Sequence, residues 1–102
     1  MTETDIRDNP DAKRYELPIG DQVAVVTYNL SDPNLMITET LVPQALEGQG
    51  IASRLARHII ADARARGLLI LPVCPFFSAY FQKHPDDADV VHPTYRQILG
   101  LR

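Results

Sequence analysis

A single cysteine, Cys74, is the strongest candidate nucleophile in this sequence of 102 residues. It ends a short apolar run and precedes Pro75, a residue that suits the first position of a helix. Cys74 would then stand at or next to the N-cap of that helix, where the helix dipole stabilises a thiolate. Such a thiolate can accept an acyl group, whereas a buried thiol packs like a small apolar residue. The sequence leaves these two alternatives open.

Two glycines lie between a predicted strand and a predicted helix, in the stretch Glu47-Gly48-Gln49-Gly50-Ile51-Ala52. Glycine permits close approach of a ligand to the backbone, and the unpaired amides at a helix N-terminus converge on one spot. The turn therefore predicts either an anion site or a glycine-rich connection without a ligand. Two nucleotide motifs are excluded, because G-x-x-x-x-G-K-[ST] is absent and Ser53 stands where a dinucleotide motif needs a third glycine.

Glu39 is a candidate general base. It lies in a predicted strand over residues 35–42, which Pro43 ends because proline cannot donate to a ladder. Strict alternation along this strand puts Glu39 on one face with Ile37 and Leu41. A carboxylate held between apolar neighbours is a better proton acceptor than one in water, and it could deprotonate an amine. The alternative is an exposed acid on an edge strand.

The remaining pattern predicts an α+β fold that positions these groups. Three strands over residues 14–17, 22–30 and 35–42 form an antiparallel meander. Apolar residues four apart then predict an amphipathic helix over Ile51–Arg66, with Gly67 as its C-terminal cap. A buried fourth strand over residues 68–73 and a second helix between Pro75 and Pro85 complete the order.

The length and net charge of the chain limit the number of domains and the classes of partner. The chain is long enough for one domain, predicted over residues 14–102, after a flexible polar lead-in over residues 1–13. Ten Lys and Arg against 13 Asp and Glu give a net charge of −3, which argues against nucleic acid as a partner. No apolar run is long enough to span a bilayer, so we expect no membrane partner and a cytoplasmic location. The histidines lack metal-ligand spacing, so we expect no metal.

Four motifs in order resemble the very small, single-domain branch of the GCN5-related N-acetyltransferases. The resemblance covers roughly residues 14–92, and its motifs are Thr40-Leu41-Val42-Pro43, Gly48-Gln49-Gly50-Ile51-Ala52, Pro72-Val73-Cys74 and His84-Pro85. The chain departs from the family at Glu47, where a Gln or Arg is usual. It also has Glu39 where a histidine often precedes the first motif.

The resemblance implies a mixed sheet whose fourth strand lies parallel to the third and splays from it to admit a pantetheine arm. It implies acetyl-coenzyme A as co-substrate and transfer of the acetyl group to an unidentified amine. The catalytic candidates are Cys74, which the resemblance supports, and Glu39, which the strand pattern suggests. A coenzyme A binding module without efficient catalysis and a ligand-free interaction domain are the alternatives. The residues expected to bind the coenzyme are Val42, Gln49, Gly50, Ile51, Ala52, Ser53, Arg54 and Cys74.

Overall fold

The computed structural model describes residues 5–101. Five strands form one sheet in the order β1-β2-β3-β4-β5. The strands are β1 (Arg7–Asn9), β2 (Arg14–Ile19), β3 (Gln22–Ser31), β4 (Asn34–Leu41) and β5 (Leu69–Pro72). The first four pair antiparallel, and β5 is parallel to β4. The predicted α+β fold with a mixed sheet is therefore confirmed, with one additional strand at its edge.

The additional strand β1 lies in the stretch that the sequence predicts as a flexible lead-in. Its residues pair with β2, and Ile6 just before it is buried in the core. The Tyr28 hydroxyl on β3 donates a hydrogen bond of 2.5 Å to Asp8 Oδ1, which ties β1 to the sheet. Residues 6–9 are thus joined to the sheet and the core, and a short polar strand of this kind has no alternation to reveal it in the sequence. Residues 1–4 lie outside the described residues.

Among the described residues, three α-helices follow the meander. They are α1 (Ile51–Arg66), α2 (Pro75–Lys83) and α3 (Pro93–Ile98). Helix α1 joins β4 to β5, and Gly67 ends it in the left-handed conformation with φ of 69°. The bounds of α1 agree with the helical period of the sequence, and Pro75 starts α2 as expected from its fixed φ.

One hydrophobic core lies between the sheet and the helices. Alternate residues of the strands and one face of each of α1 and α2 contribute to it, since strands expose every second side chain to one side. The largest side chains that are fully buried in it include Tyr15, Leu17, Leu35, Ile37, Leu55, Ile59, Ile70, Phe77 and Phe81.

Strands β4 and β5 separate after a short paired stretch. Their register runs from Asn34 opposite Leu69 to Ile37 opposite Pro72. Beyond this point the chain leaves β5 toward α2, while β4 continues to Leu41. Among residues 5–101, the last four residues of β4 therefore have no strand partner on the β5 side. The pairing ends at the place where the family resemblance implies that the two strands splay apart.

A bulge in β4 changes the face of the residues that follow it. Thr27 of β3 pairs with Glu39, whereas Tyr28 pairs with Ile37, so Thr38 is an extra residue. An extra residue reverses the alternation beyond it. Thr38 and Glu39 both lie on the side of Thr27, away from the core face of Ile37, so the predicted alternation is wrong from Glu39 onward.

The C-terminal end of α1 is anchored to the sheet by a buried phenol. The Tyr15 hydroxyl donates a 2.5 Å hydrogen bond to Asp62 Oδ2, and Arg66 Nη1 lies 3.0 Å from the same oxygen. Burial, followed by the hydrogen bond to Asp62, raises the pKa of Tyr15 far above its ordinary value. The neutral phenol is thus the form that the folded protein requires.

We expect this anchor to weaken at high pH. The pKa of Tyr15 is higher in the folded than in the unfolded state. The hydrogen bond to Asp62 therefore stabilises the fold fully below pH 10, the ordinary pKa of tyrosine, and less above it. At pH 8 the Tyr15→Phe variant should be less stable than the wild type by about 1.5 to 3 kcal/mol. That difference should shrink by about 1.4 kcal/mol for each pH unit above 10. Urea unfolding of both proteins measures it, and a difference that does not change with pH would contradict the assignment.

Candidate active site

Three backbone amides at the start of α1 form the first part of the site. Gly48 and Gly50 precede the helix with φ of 81° and 72°, a region that favours glycine. Gly50 is the N-cap, and the first intrahelical bond runs from Arg54 N to Gly50 O at 3.1 Å. The amides of residues 51–53 therefore have no acceptor within the helix. With no acidic residue in the first turn, this end of the helix favours an anion.

A cleft of about 210 Å³ opens at this helix end. Its walls come from the end of β4, the glycine turn and the start of α2, and they are lined by Val42, Leu46, Glu47, Gly48, Gly50, Ile51, Ala52, Ser53 and Phe76. A Cβ built on either Gly48 or Gly50 would meet no atom within 4 Å. The space in front of this backbone is thus open to a ligand.

Five of the eight residues that the sequence predicts for coenzyme binding line this cleft: Val42, Gly50, Ile51, Ala52 and Ser53. Gln49 is exposed and Arg54 is half-buried, and neither contributes to the lining. Glu47, the departure from the family motif, lies on the wall and is exposed to solvent. The site therefore relies on backbone amides more than on side chains for any attraction to an anion.

Cys74 lies where β4 and β5 separate. Its backbone N–H donates a 3.0 Å hydrogen bond to Ile37 O, the last paired residue of β4. Its side chain is 3% exposed, and Sγ lies 3.2 Å from Thr40 Oγ1. Cys74 is also the N-cap of α2, followed by Pro75, as the sequence predicts. The thiol therefore occupies the gap, beside the positive end of a helix dipole.

The thiol and the cleft are close along the chain. Thr40, which contacts Sγ, is two residues before Val42, which lines the cleft. In extended backbone this separation is about 7 Å. Phe76, on the other wall, is two residues after Cys74. Thr40 and Phe76 therefore place the thiol near both walls of the cleft, but Cys74 itself does not line it.

Thr40 and Phe76 are site residues that the sequence prediction missed. Thr40 reaches the thiol because the bulge at Thr38 turns it toward the core face, opposite Val26. Thr40 belongs to the first family motif, which could have identified it. Strict alternation, however, places Thr40 on the face opposite Ile37, so it does not predict the contact with Cys74. Phe76 had only its proximity to Cys74 as a signal.

Glu39 is not brought together with Cys74. It pairs with Thr27, whose neighbours Val26 and Tyr28 face the core, so both Glu39 and Thr27 face the other side of the sheet. Its side chain is exposed. Tyr80 is 7% exposed and packs against neighbouring rings of α2.

Residues 5–101 contain no group of three or more His, Cys, Asp or Glu side chains arranged to hold a metal ion. Within the same residues, no helix is both long and apolar enough to cross a membrane.

Comparison with known proteins agrees with the fold and with the motifs. A family model described as GCN5-related N-acetyl-transferase matches residues 14–90. The NMR solution structure of a GCN5-like protein from Staphylococcus aureus is similar, with a TM-score of 0.69 and 24% sequence identity over 90% of this chain and 91% of that one. A search of curated proteins finds no match. The family match includes the glycine turn, both cleft walls and Cys74, and the chain belongs to the GCN5-related N-acetyltransferase family.

Proposed function

We propose that the protein binds acetyl-coenzyme A and transfers the acetyl group to an amine. The observation that carries this proposal is the row of three unpaired amides at the start of α1, which adjoins an open cleft. Membership of the family supports the general chemistry. The acceptor stays unidentified, and a cytoplasmic location stays a prediction.

The pyrophosphate of the coenzyme would lie over the amides of residues 51–53. Hydrogen bonds from backbone amides to an anion are short and strong, and the helix dipole adds to them. Gly50 leaves the approach open, since nothing lies within 4 Å of the place where a side chain would begin. The charge of Glu47 is unfavourable for an anion, but its exposed side chain can extend into solvent.

The pantetheine arm would extend from the cleft into the gap between β4 and β5. Residues 38–41 have no strand partner there among the described residues, so their backbone can hydrogen-bond an extended chain that carries amides. Val42 and Phe76 supply apolar contacts on the way. The acetyl end would then reach Cys74.

In the first route Cys74 carries the acetyl group. Its thiolate forms a bond to the acyl carbon, and the sulfur of the coenzyme leaves with the electron pair of the bond that breaks. An amine then forms a bond to the same carbon, loses a proton to solvent and releases the Cys74 thiolate, while the departed coenzyme sulfur takes up a proton from solvent. The Thr40 hydroxyl, 3.2 Å from Sγ, can donate to the thiolate at both stages.

In the second route the amine attacks the coenzyme thioester directly, with Glu39 as the predicted base. The exposed side chain of Glu39 faces away from Thr40 and Cys74, so its geometry gives this route no support. A coenzyme-binding module without efficient catalysis is the remaining alternative with an observation in its favour, since a thiol that is 3% exposed also packs well as a core group.

We expect Gly50→Val to weaken acetyl-coenzyme A binding by about tenfold or more, because a β-branched side chain obstructs the approach to charged hydrogen bonds. Gly67→Val is the matched control. Gly67 has φ of 69°, has open space around its Cβ position and ends the same helix. Both variants carry about 1 to 2 kcal/mol of backbone strain, but only Gly50→Val should lose affinity by calorimetry. Equal affinities in the two folded variants would mean that the anion binds elsewhere.

We expect wild-type protein incubated with acetyl-coenzyme A to carry an acetyl adduct on Cys74, which decays when an amine is added. Mass spectrometry measures the adduct. Cys74→Ala should bind the coenzyme but lose activity by at least about a hundredfold.

Glu39→Gln serves as the comparison in the same assay, and under the covalent route it should keep full activity. Full activity in Cys74→Ala together with an inactive Glu39→Gln would establish direct transfer. Binding without acetyl release to any amine would identify a module without efficient catalysis.

A further inference from the structure

A recess of about 370 Å³ lies at the end of β4, beside the cleft. The residues that line it are Val23, Thr40, Leu41, Val42 and Pro43. Val42 also lines the cleft, and the Thr40 hydroxyl lies 3.2 Å from Cys74 Sγ. The recess therefore adjoins the cleft directly, and one side chain connects it with the thiol.

The strand register shows which side of the sheet the recess occupies. Val26 belongs to the core, so Val23 and Val25 lie on the other side of β3 by alternation. Leu41 pairs with Val25 and shares that side, whereas Thr40 pairs with Val26 and faces the core. The recess thus has lining residues from both sides of β4 at the point where this strand ends.

The walls on the side away from the core are apolar and open to solvent. Val23 is 42% exposed and Leu41 is 49% exposed, and Pro43 adds a third apolar wall. Among the lining residues only Thr40 has a polar side chain. Large apolar side chains that remain exposed around one recess favour a ligand that covers them with an apolar group.

The charges next to these walls are negative. Asp21 is exposed in the turn between β2 and β3, two residues before Val23, and Glu39 is exposed on the same side of the sheet as Val23. Within the described part of the chain, neither acid forms an ion pair. Arg14, on the neighbouring β2, is paired with Glu16 at 2.6 Å. This acidic rim complements an amine, which is largely protonated at neutral pH.

We propose that the recess binds the acceptor, and that the acceptor is a primary amine carried on an apolar chain. The apolar chain lies against Val23, Leu41 and Pro43, and the acidic rim attracts the ammonium form, which loses a proton to solvent before it reacts. The inference rests on the proposed function and names a substrate class for it. Because Val42 is the one residue that lines both the recess and the cleft, acceptor and coenzyme can be bound together.

The first test measures kcat/KM for hexylamine and ethylamine, which carry the same charged group on apolar chains of different length. The wild type should prefer hexylamine by about tenfold, because its additional methylenes become partly buried. Leu41→Asn should reduce this preference to about threefold or less and leave acetyl-coenzyme A binding by calorimetry unchanged. Leu30→Asn is the matched control, since Leu30 is a 41% exposed leucine near the other end of β3 that does not line the recess.

The acidic rim is tested by Asp21→Asn. This variant should lower kcat/KM for both amines by about twofold to threefold at low ionic strength, and the loss should disappear at high salt because exposed charges are screened. Asp11→Asn, at an exposed acid of the β1–β2 connection, should change neither value. A loss that does not depend on salt, or equal losses in the two variants, would contradict the role of the rim.

Titration of ¹⁵N-labelled protein with hexylamine alone separates this inference from the function on which it rests. Saturable shifts are expected at the amides of Val23, Thr40 and Leu41. If acetyl transfer occurs but both amines react equally well, or Leu41→Asn behaves as Leu30→Asn does, the acceptor lies elsewhere and only the inference fails. If hexylamine shifts these amides but no amine is acetylated, the recess binds apolar amines and the proposed transfer fails. If hexylamine neither shifts them nor reacts, both fail.

Discussion

The backbone hydrogen bond from Cys74 to Ile37 is where the sheet stops being continuous, and the candidate site depends on it. Up to Ile37 and Pro72 the two parallel strands pair and are packed against the core. Immediately beyond, β5 gives way to α2, because Pro75 suits the first turn of a helix and cannot donate to a ladder. The exposed edge of β4, the thiol and the positive end of α2 consequently meet in one gap.

The bulge at Thr38 determines which side chain lies next to the thiol in this gap. Without the extra residue, Glu39 would follow Ile37 onto the core face, and a carboxylate rather than a hydroxyl would stand near the thiol. With it, Thr40 lies 3.2 Å from Sγ, and Glu39 is exposed on the other side. A hydroxyl beside the thiol can donate to a thiolate, whereas a carboxylate would repel one. A single inserted residue thus separates the only sulfur nucleophile in the sequence from its nearest acidic strand neighbour.

Local sequence patterns predict most of the fold. They do not predict the contacts between residues that are distant in the sequence. The period of Ile51, Leu55 and Ile59 predicts α1 to the residue, because the pattern and the capping Gly67 agree. Strand β1 is three polar residues and has no such pattern, since its stability comes from pairing with β2 and from the Tyr28 bond to Asp8. For the site, the glycine turn and Cys74 were predictable from residue type. The contact of Thr40 with the thiol depends on a bulge, which a single sequence does not reveal.

The central claim is that the free amides of α1 hold the pyrophosphate while the thioester end reaches Cys74. Titration of ¹⁵N-labelled protein with acetyl-coenzyme A, followed by amide chemical shifts, tests both ends at once. The account predicts saturable shifts that are largest for Ile51, Ala52 and Ser53, accompanied by shifts at Thr40 and Cys74, while residues of the β1–β2 connection stay unchanged. Saturable binding that leaves the amides of residues 51–53 unshifted would contradict it.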